Sequence, residues 1–192
     1  MTDRGAAIGI VGAGRVARTL GVLLFQHGAP VVALSSRTAT SAAEAARAIG
    51  PTVAVASLRE LSDRVGRVLI ATTDEGISQV GDDLAASGFT GVAVHTCGAR
   101  GPDALQSLRD AGVSCGVVHP LQTFASETRT DLRGVAVILA GDDAAVQWGD
   151  EIVRAIEGQP LRIAVDYLPL YHAGAVLAGN AIRLLRLDRS RG

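Results

Sequence analysis

The sequence predicts an α/β fold, namely a doubly wound, mainly parallel sheet of about eight strands followed by one long C-terminal helix. Short β-branched runs alternate with longer amphipathic stretches rich in Ala and Leu, which is the pattern of successive β-α-β units. The predicted strands are nearly all apolar, as strands covered by helices on both faces are. Hydrophobic residues make up 48% of the 192 residues, so the composition also supports a large buried core.

The predicted elements alternate regularly along the chain. We expect strands at residues 7–11, 31–34, 53–56, 67–71, 91–95, 115–119, 135–140 and 161–165. We expect helices at residues 15–27, 41–49, 76–87, 103–111, 143–157 and 168–187. The pattern places a sheet domain at 1–166 and the first helix of a helical domain at 167–192. That last helix is apolar on more than one face, so it needs a partner, either a second copy of the chain or a following domain.

Composition and charge exclude several classes of function. The net charge of −1 gives no reason to expect nucleic acid or a membrane surface as partner. Two cysteines, Cys97 and Cys115, and an N-terminus without signal-peptide character predict a cytoplasmic protein. All 18 basic residues are arginine. Mechanisms that require a lysine, such as Schiff-base chemistry, are therefore excluded.

A glycine motif follows the first predicted strand and opens the first predicted helix. It reads Gly12-Ala13-Gly14-Arg15-Val16-Ala17. The first glycine permits a tight turn, the second lets the backbone approach a pyrophosphate, and the alanine allows close packing of helix on strand. The helix N-terminus then faces the phosphates. We interpret residues 12–16 as a dinucleotide-binding loop, the alternative being a set of ordinary tight turns.

The end of the second predicted strand bears on the choice of cofactor. Sheets that bind NAD usually carry a carboxylate here for the ribose 2′-hydroxyl. This chain has Ser35, Ser36, Arg37 and Thr38 instead. Hydroxyls and a guanidinium suit a 2′-phosphate, so we predict NADP in preference to NAD. The alternative is a solvated turn that is merely basic.

Two threonines follow the fourth predicted strand. Because ligands of open α/β sheets lie at the carboxyl ends of the strands, we expect Thr72 and Thr73 to contact the cofactor. Thr73 or Asp74 is equally suited to cap the next helix, and the two roles are compatible.

Histidines end two of the predicted strands. His95 and His119 both fall at the ligand edge of the sheet, where imidazole suits proton exchange during hydride transfer. His172 lies on the last predicted helix, eight residues before Asn180 and on broadly the same side. The histidines are too scattered along the chain to predict a metal site.

With these motifs the sequence resembles a known group, the Rossmann-like oxidoreductases whose C-terminal half is the domain of unknown function 2520. They are relatives of 6-phosphogluconate dehydrogenase, pyrroline-5-carboxylate reductase and F420-dependent NADP reductase. The resemblance rests on the motifs at 12–17, 36–37, 95–99, 119–124 and 171–180. It implies a helical domain that often forms a dimer and is here truncated after its first helix. The lysine of the hydroxyacid dehydrogenase branch is replaced by Val176.

The resemblance also implies roles for individual residues. The nicotinamide is expected near the 95–99 loop, including Thr96, and near the 119–124 loop, with His119, His172 and Asn180 around the substrate. We therefore expect an NADP(H)-dependent oxidoreductase acting on a small carbonyl or imine compound, dimeric through the C-terminal helix. One alternative is a non-enzymatic NADP(H)-binding regulatory or partner-binding module, or a truncated remnant. Another is the reduction of a flavin or of the deazaflavin F420.

Overall fold

The computed structural model describes residues 3–124, 131–175 and 177. The strands are β1 (Ile8–Val11), β2 (Val31–Ser35), β3 (Ala54–Val55), β4 (Arg67–Ile70), β5 (Val92–His95), β6 (Ser114–Pro120), β7 (Ala136–Gly141) and β8 (Gln159–Arg162). The helices with defined ends are α1 (Arg15–Gln26), α2 (Ala39–Ile49), α3 (Leu58–Arg64), α4 (Gly76–Ala86), α5 (Gln106–Asp110) and α6 (Asp143–Ala155). Residues 168–175 and 177 are also helical, and we call them the C-terminal helical segment.

The eight strands form one sheet in the order β3-β2-β1-β4-β5-β6-β7-β8. Neighbouring strands are parallel except for β6 and β7, which pair antiparallel. The chain starts in the middle of the sheet and reverses its direction of travel between β3 and β4. Such a reversal opens a crevice at the carboxyl ends of the central strands, because the flanking connections leave on opposite faces.

Both faces of the sheet are covered by helices. Along β1 the side chains alternate, so Ile10 packs with residues of α1, α2 and α6, whereas Val11 packs with residues of α3, α4 and α5. The largest buried side chain on the first face is Trp148 of α6. Two apolar layers therefore enclose the sheet, and its carboxyl edge remains accessible.

The predicted fold class is confirmed, and the differences lie in individual elements. Helix α3 was not predicted, although Ser57 and Glu60 form a capping box at its start. The helix expected at 103–111 is a 3-10 turn at Pro102–Leu105 followed by the short helix α5. The last strand begins two residues and ends three residues earlier than expected, because β8 is an exposed edge strand that no apolar run marks.

The C-terminal helical segment begins against the sheet. Leu168 is buried and packs with Val117, Ile138 and Ala140 of β6 and β7. Further along, Leu170 and Leu177 are 72% and 71% exposed. Within the described ranges, no helix combines the length and apolar character needed to cross a bilayer.

Candidate functional site

A cleft of about 740 Å³ lies at the carboxyl ends of the central strands. This volume is within the range of small-molecule and cofactor sites. Its lining residues come from the ends of β1, β2 and β4, the start of α1, the start of α2, one face of α4, and Leu58 and Phe124. The cleft contains eleven of the twelve residues that the sequence assigned to cofactor binding, namely Gly12, Ala13, Gly14, Arg15, Val16, Ser35, Ser36, Arg37, Thr38, Thr72 and Thr73.

The fold itself requires a glycine at position 12. Its φ is +124°, a conformation that residues with a side chain rarely adopt. A Cβ at this position would also lie 2.2 Å from the carbonyl oxygen of Ala71. The Gly12 amide donates to the carbonyl of Ser35 at 2.8 Å, which joins the loop to the end of β2. The turn therefore passes between two strand ends that leave no room for a side chain.

Packing within the described residues does not require a glycine at position 14. Its φ is −75°, which any residue adopts, and no described atom lies within 4 Å of where its Cβ would be. The space above Gly14 is part of the cleft. A missing side chain here keeps the cleft floor open to a close approach, which is the property that a pyrophosphate requires.

The cleft is electrostatically suited to an anion. Helix α1 begins at Arg15 with Gly14 as its N-cap, so the first-turn amides and the positive end of the helix dipole lie at the cleft. Ala17, the third residue of the helix, is fully buried, which lets the helix pack closely on the sheet. Phosphate groups bind at helix N-termini for these reasons.

The loop after β2 brings hydroxyls and a guanidinium to the cleft. Ser35 is buried at the strand end, whereas Arg37 is exposed at the cleft rim. Thr38 is also the N-cap of α2, where its hydroxyl oxygen accepts from the Ser41 amide at 3.4 Å. Among the cleft-lining residues, the one carboxylate is Asp83, on α4.

The loop after β4 lines the cleft but does not cap α4 with a side chain. Thr72 donates its hydroxyl to the Thr73 carbonyl at 3.2 Å. The N-cap of α4 is Glu75, which makes no side-chain capping bond. The alternative capping role for Thr73 or Asp74 is therefore wrong. The backbone carbonyl of Thr73 instead accepts from the Gly76 amide at 2.9 Å.

His119 lies near the end of β6, beside the 96–98 loop. Its Nδ1 is 2.8 Å from the Thr96 carbonyl oxygen, so Nδ1 carries the proton and donates it. A Cβ on Gly98 would lie 2.6 Å from the His119 Nε2, which shows how closely the ring covers that glycine. Burial lowers the pKa of His119, and a charge on His172 would lower it further. The neutral ring therefore keeps a lone pair on Nε2.

The remaining residues assigned from the sequence have different outcomes. Thr96 does not line the cleft, but its carbonyl orients His119. His172 is half-buried on the C-terminal helical segment, close enough for its charge to affect His119. Asn180 lies outside the described residues, as does Val176.

His95 ends β5, and its contacts indicate a structural role. It is fully buried, and its Nε2 is 2.9 Å from the Gly101 carbonyl oxygen, a contact that ties β5 to the following loop. Burial lowers the pKa of His95. Two residues on, burial raises the pKa of the Cys97 thiol, and the neighbouring Asp74 carboxylate raises it further. The raised pKa keeps the Cys97 thiol protonated, and therefore a weak nucleophile, at neutral pH.

The sequence reasoning missed the contribution of α4 to the cleft. Gly76, Val80 and Asp83 are spaced four and three residues apart, so they share one face of the helix, and Gln79 lies beside them. Gln79 donates to Asp83 at 3.0 Å on this face. The helical spacing was visible in the sequence, but it does not say which face of the helix meets the cleft.

Comparisons with known proteins agree with this architecture. A model of the Rossmann-like domain matches residues 2–120. A search of curated proteins found no match. A Bacteroides fragilis protein assigned as an NADP oxidoreductase superposes with a TM-score of 0.77 at 19% identity, over 95% of this chain and 70% of that one.

Two further solved structures share the fold. Imine reductase from Myxococcus stipitatus in complex with NADP+ has a TM-score of 0.74 at 15% identity, over 94% of this chain and 63% of that one. Prephenate dehydrogenase from A. aeolicus in complex with hydroxyphenyl propionate and NAD+ has a TM-score of 0.69 at 14% identity, over 84% of this chain and 61% of that one. The chain thus spans about two thirds of the length of its structural neighbours, and the likeness is one of fold.

Proposed function

Because this chain belongs to the Rossmann-like domain family, we propose that it is an NADP(H)-dependent oxidoreductase acting on a small carbonyl or imine compound. Its structural neighbours include an assigned NADP oxidoreductase and an imine reductase in complex with NADP+. The motifs that resemble the oxidoreductases with the domain of unknown function 2520 support the same proposal. We include in this proposal the membership of that oxidoreductase group and the carbonyl or imine substrate class.

The observation that carries the proposal is the open floor of the cleft at Gly14. Gly12 is explained by the fold, since a Cβ there would strike the Ala71 carbonyl. Gly14 has no such steric explanation, because its backbone is unstrained and, its chain neighbours aside, no described residue lies within 4 Å of an added Cβ. A glycine at the N-terminus of α1 is the residue that a bound pyrophosphate requires, so a dinucleotide accounts for it.

Arg37 supports the preference for NADP. It is exposed at the cleft rim, in a loop of hydroxyls without a carboxylate. A guanidinium at this position would form charge-assisted hydrogen bonds with a 2′-phosphate, and Ser36 and Thr38 would add hydroxyl donors. The carboxylate of Asp83 lies on a different element, α4, in the part of the cleft that Gln79 and Val80 line.

His119 is the residue that we propose for proton exchange. When bound, the dinucleotide supplies or accepts the hydride. The neutral imidazole donates its Nδ1 proton to the Thr96 carbonyl. Its Nε2 has no hydrogen-bond partner among the described residues, so it can accept a proton from a hydroxyl or amine and return it in the reverse direction. We propose that His172 and Asn180 orient the substrate, as the family resemblance implies.

The experiment that tests the cofactor assignment is a fluorescence titration with NADPH and NADH on wild type and on Arg37→Ala. We expect wild type to prefer NADPH, and the variant to lose about 1.5–3 kcal/mol of NADPH affinity, which is about a tenfold to hundredfold loss. Binding of NADH should be spared. The matched control is Arg47→Ala, which removes an exposed arginine from α2. An equal loss for both cofactors would contradict the 2′-phosphate assignment.

Turnover is a separate question from binding. Turnover is tested directly by a screen of small carbonyl and imine compounds, in which the loss of reduced-nicotinamide absorbance is measured. NADPH binding without turnover of any compound would favour the non-enzymatic binding module. A wild-type protein that binds neither dinucleotide would refute the proposed function.

A further inference from the structure

Arg18 of α1 makes two contacts that the dinucleotide proposal does not use. Its Nε donates to the carbonyl oxygen of Ala13 at 2.9 Å. Its Nη2 donates to Glu44 of α2 at 3.1 Å. The two side chains are 38% and 55% exposed, and ion pairs this exposed contribute little to stability. The contact with Ala13, by contrast, is made to the glycine loop that lines the cleft.

The contact determines where an amide of the cleft points. In a planar trans peptide, the carbonyl of one residue and the N–H of the next point in opposite directions. Arg18 holds the Ala13 carbonyl toward its own guanidinium, so the Gly14 N–H is directed to the opposite side. Both Ala13 and Gly14 line the cleft, and the space around Gly14 is open.

Glu44 in turn determines the position of Arg18. A flexible arginine side chain with one hydrogen bond has many rotamers, whereas one held at both ends has few. Glu44 belongs to α2, which starts directly after Arg37 and Thr38. The Arg18–Glu44 pair therefore joins the glycine loop to the helix that follows the Arg37 loop.

We propose that Arg18 is a positioning residue for the pyrophosphate, which orients the Ala13–Gly14 peptide so that its N–H faces the phosphates, and that Glu44 holds Arg18 in place. This inference rests on the proposed dinucleotide function. Arg18 acts through the Gly14 amide, because its Nε and Nη2 are directed to Ala13 and Glu44. Its effect should be the same for NADPH and NADH, since both carry the pyrophosphate.

The test compares three variants by fluorescence titration with NADPH and NADH. Arg18→Met should weaken the binding of both dinucleotides about tenfold and leave the ratio of the two affinities unchanged. Glu44→Gln should weaken the binding of both dinucleotides about threefold. The control Arg47→Met removes the same charge from an exposed position of α2 and should leave both affinities unchanged. Adenosine 2′-monophosphate lacks the pyrophosphate, so all three variants should bind it as the wild type does.

The sign of the Glu44→Gln effect separates positioning from simple charge attraction. If Arg18 only attracted phosphate by its charge, removal of the neighbouring carboxylate would strengthen binding, and tighter binding would overturn the proposal. Unchanged dinucleotide affinity in Arg18→Met would also overturn the proposal. An equal loss of affinity for adenosine 2′-monophosphate would overturn it too, because it would indicate general damage to the cleft. If Arg18→Met does not fold, the Glu44→Gln result decides. A wild type that binds neither dinucleotide refutes the proposed function itself.

Discussion

The two glycines of the cleft loop should respond in opposite ways to an added methyl group. Gly12→Ala and Gly14→Ala each add one Cβ, at positions two residues apart. At position 12 the new Cβ would lie 2.2 Å from a backbone oxygen, at a φ of +124°. At position 14 it would meet no described atom within 4 Å, at a φ of −75°.

The magnitudes follow from these surroundings. Backbone strain and overpacking of about 1–3 kcal/mol each should make Gly12→Ala about 2–6 kcal/mol less stable than wild type. For Gly14→Ala, the loss of a favourable N-cap glycine opposes the smaller entropy of the unfolded chain, and each is about 0.5–1 kcal/mol. We therefore expect the stability of Gly14→Ala to stay within about 1 kcal/mol of wild type.

The assay combines thermal unfolding of the free protein with NADPH titration. For a domain of this size, 1 kcal/mol corresponds to about 2–4 °C in Tm. Gly12→Ala should lower Tm clearly. Gly14→Ala should leave Tm nearly unchanged. It should weaken NADPH binding by about tenfold to hundredfold, because its methyl group occupies the space through which the pyrophosphate approaches the backbone.

Two results would refute this reasoning. If Gly14→Ala binds NADPH as the wild type does, the pyrophosphate does not lie over Gly14, and the cleft floor is open for another reason. If Gly12→Ala is as stable as wild type, the close passage of the loop beside Ala71 is not a constraint on the fold.

Three further predictions concern the histidines and the C-terminal segment. His119→Gln should lower kcat about 10²–10⁴-fold and leave NADPH affinity unchanged, measured on a substrate found in the screen. Burial lowers the pKa of His95 below its usual 6.5, so the unfolded chain takes up a proton that the folded one resists. Stability should therefore fall as the pH drops below about 6.5, by at most about 1.4 kcal/mol per pH unit for this group, and His95→Gln should reduce that fall in urea titrations. The wild type should be a dimer by light scattering, and Leu170→Asp should shift it toward monomer, because this leucine is 72% exposed.

Each of these predictions has a contrary outcome. Full turnover in His119→Gln would remove this histidine from the proton path. An identical loss of stability in acid for wild type and His95→Gln would show that other groups control the pH dependence. A wild-type monomer at micromolar concentration would contradict self-association through the C-terminal segment.

Much of the architecture was accessible from local sequence patterns. The alternation of apolar runs and amphipathic stretches predicted the eight strands and most helices, because periodicity reports which face of an element is buried. Helix α3 was not predicted because it is only seven residues long, although the sequence shows its capping box, Ser57 with Glu60. Strand β8 was displaced because all four of its residues are exposed and no apolar run defines it.

The different roles of the two strand-end histidines depended on strand register. Both end predicted strands, and the sequence treats them alike. In the sheet His95 pairs with Val117, so His119 extends two residues beyond it along β6. His95 is therefore enclosed between β5 and the Gly101 loop, whereas His119 reaches the edge above Thr96.

The sequence by itself determined two segments of the cleft, 12–17 and 35–38, since both lie in consecutive positions beside predictable strand ends. The tertiary structure decided which distant side chains meet there. Asp83 and Val80 enter the cleft only because β4 lies beside β1, and Arg18 reaches Glu44 only because α1 and α2 pack on the same face of the sheet. Such contacts depend on strand order and helix placement, which the whole chain determines together and no local pattern contains.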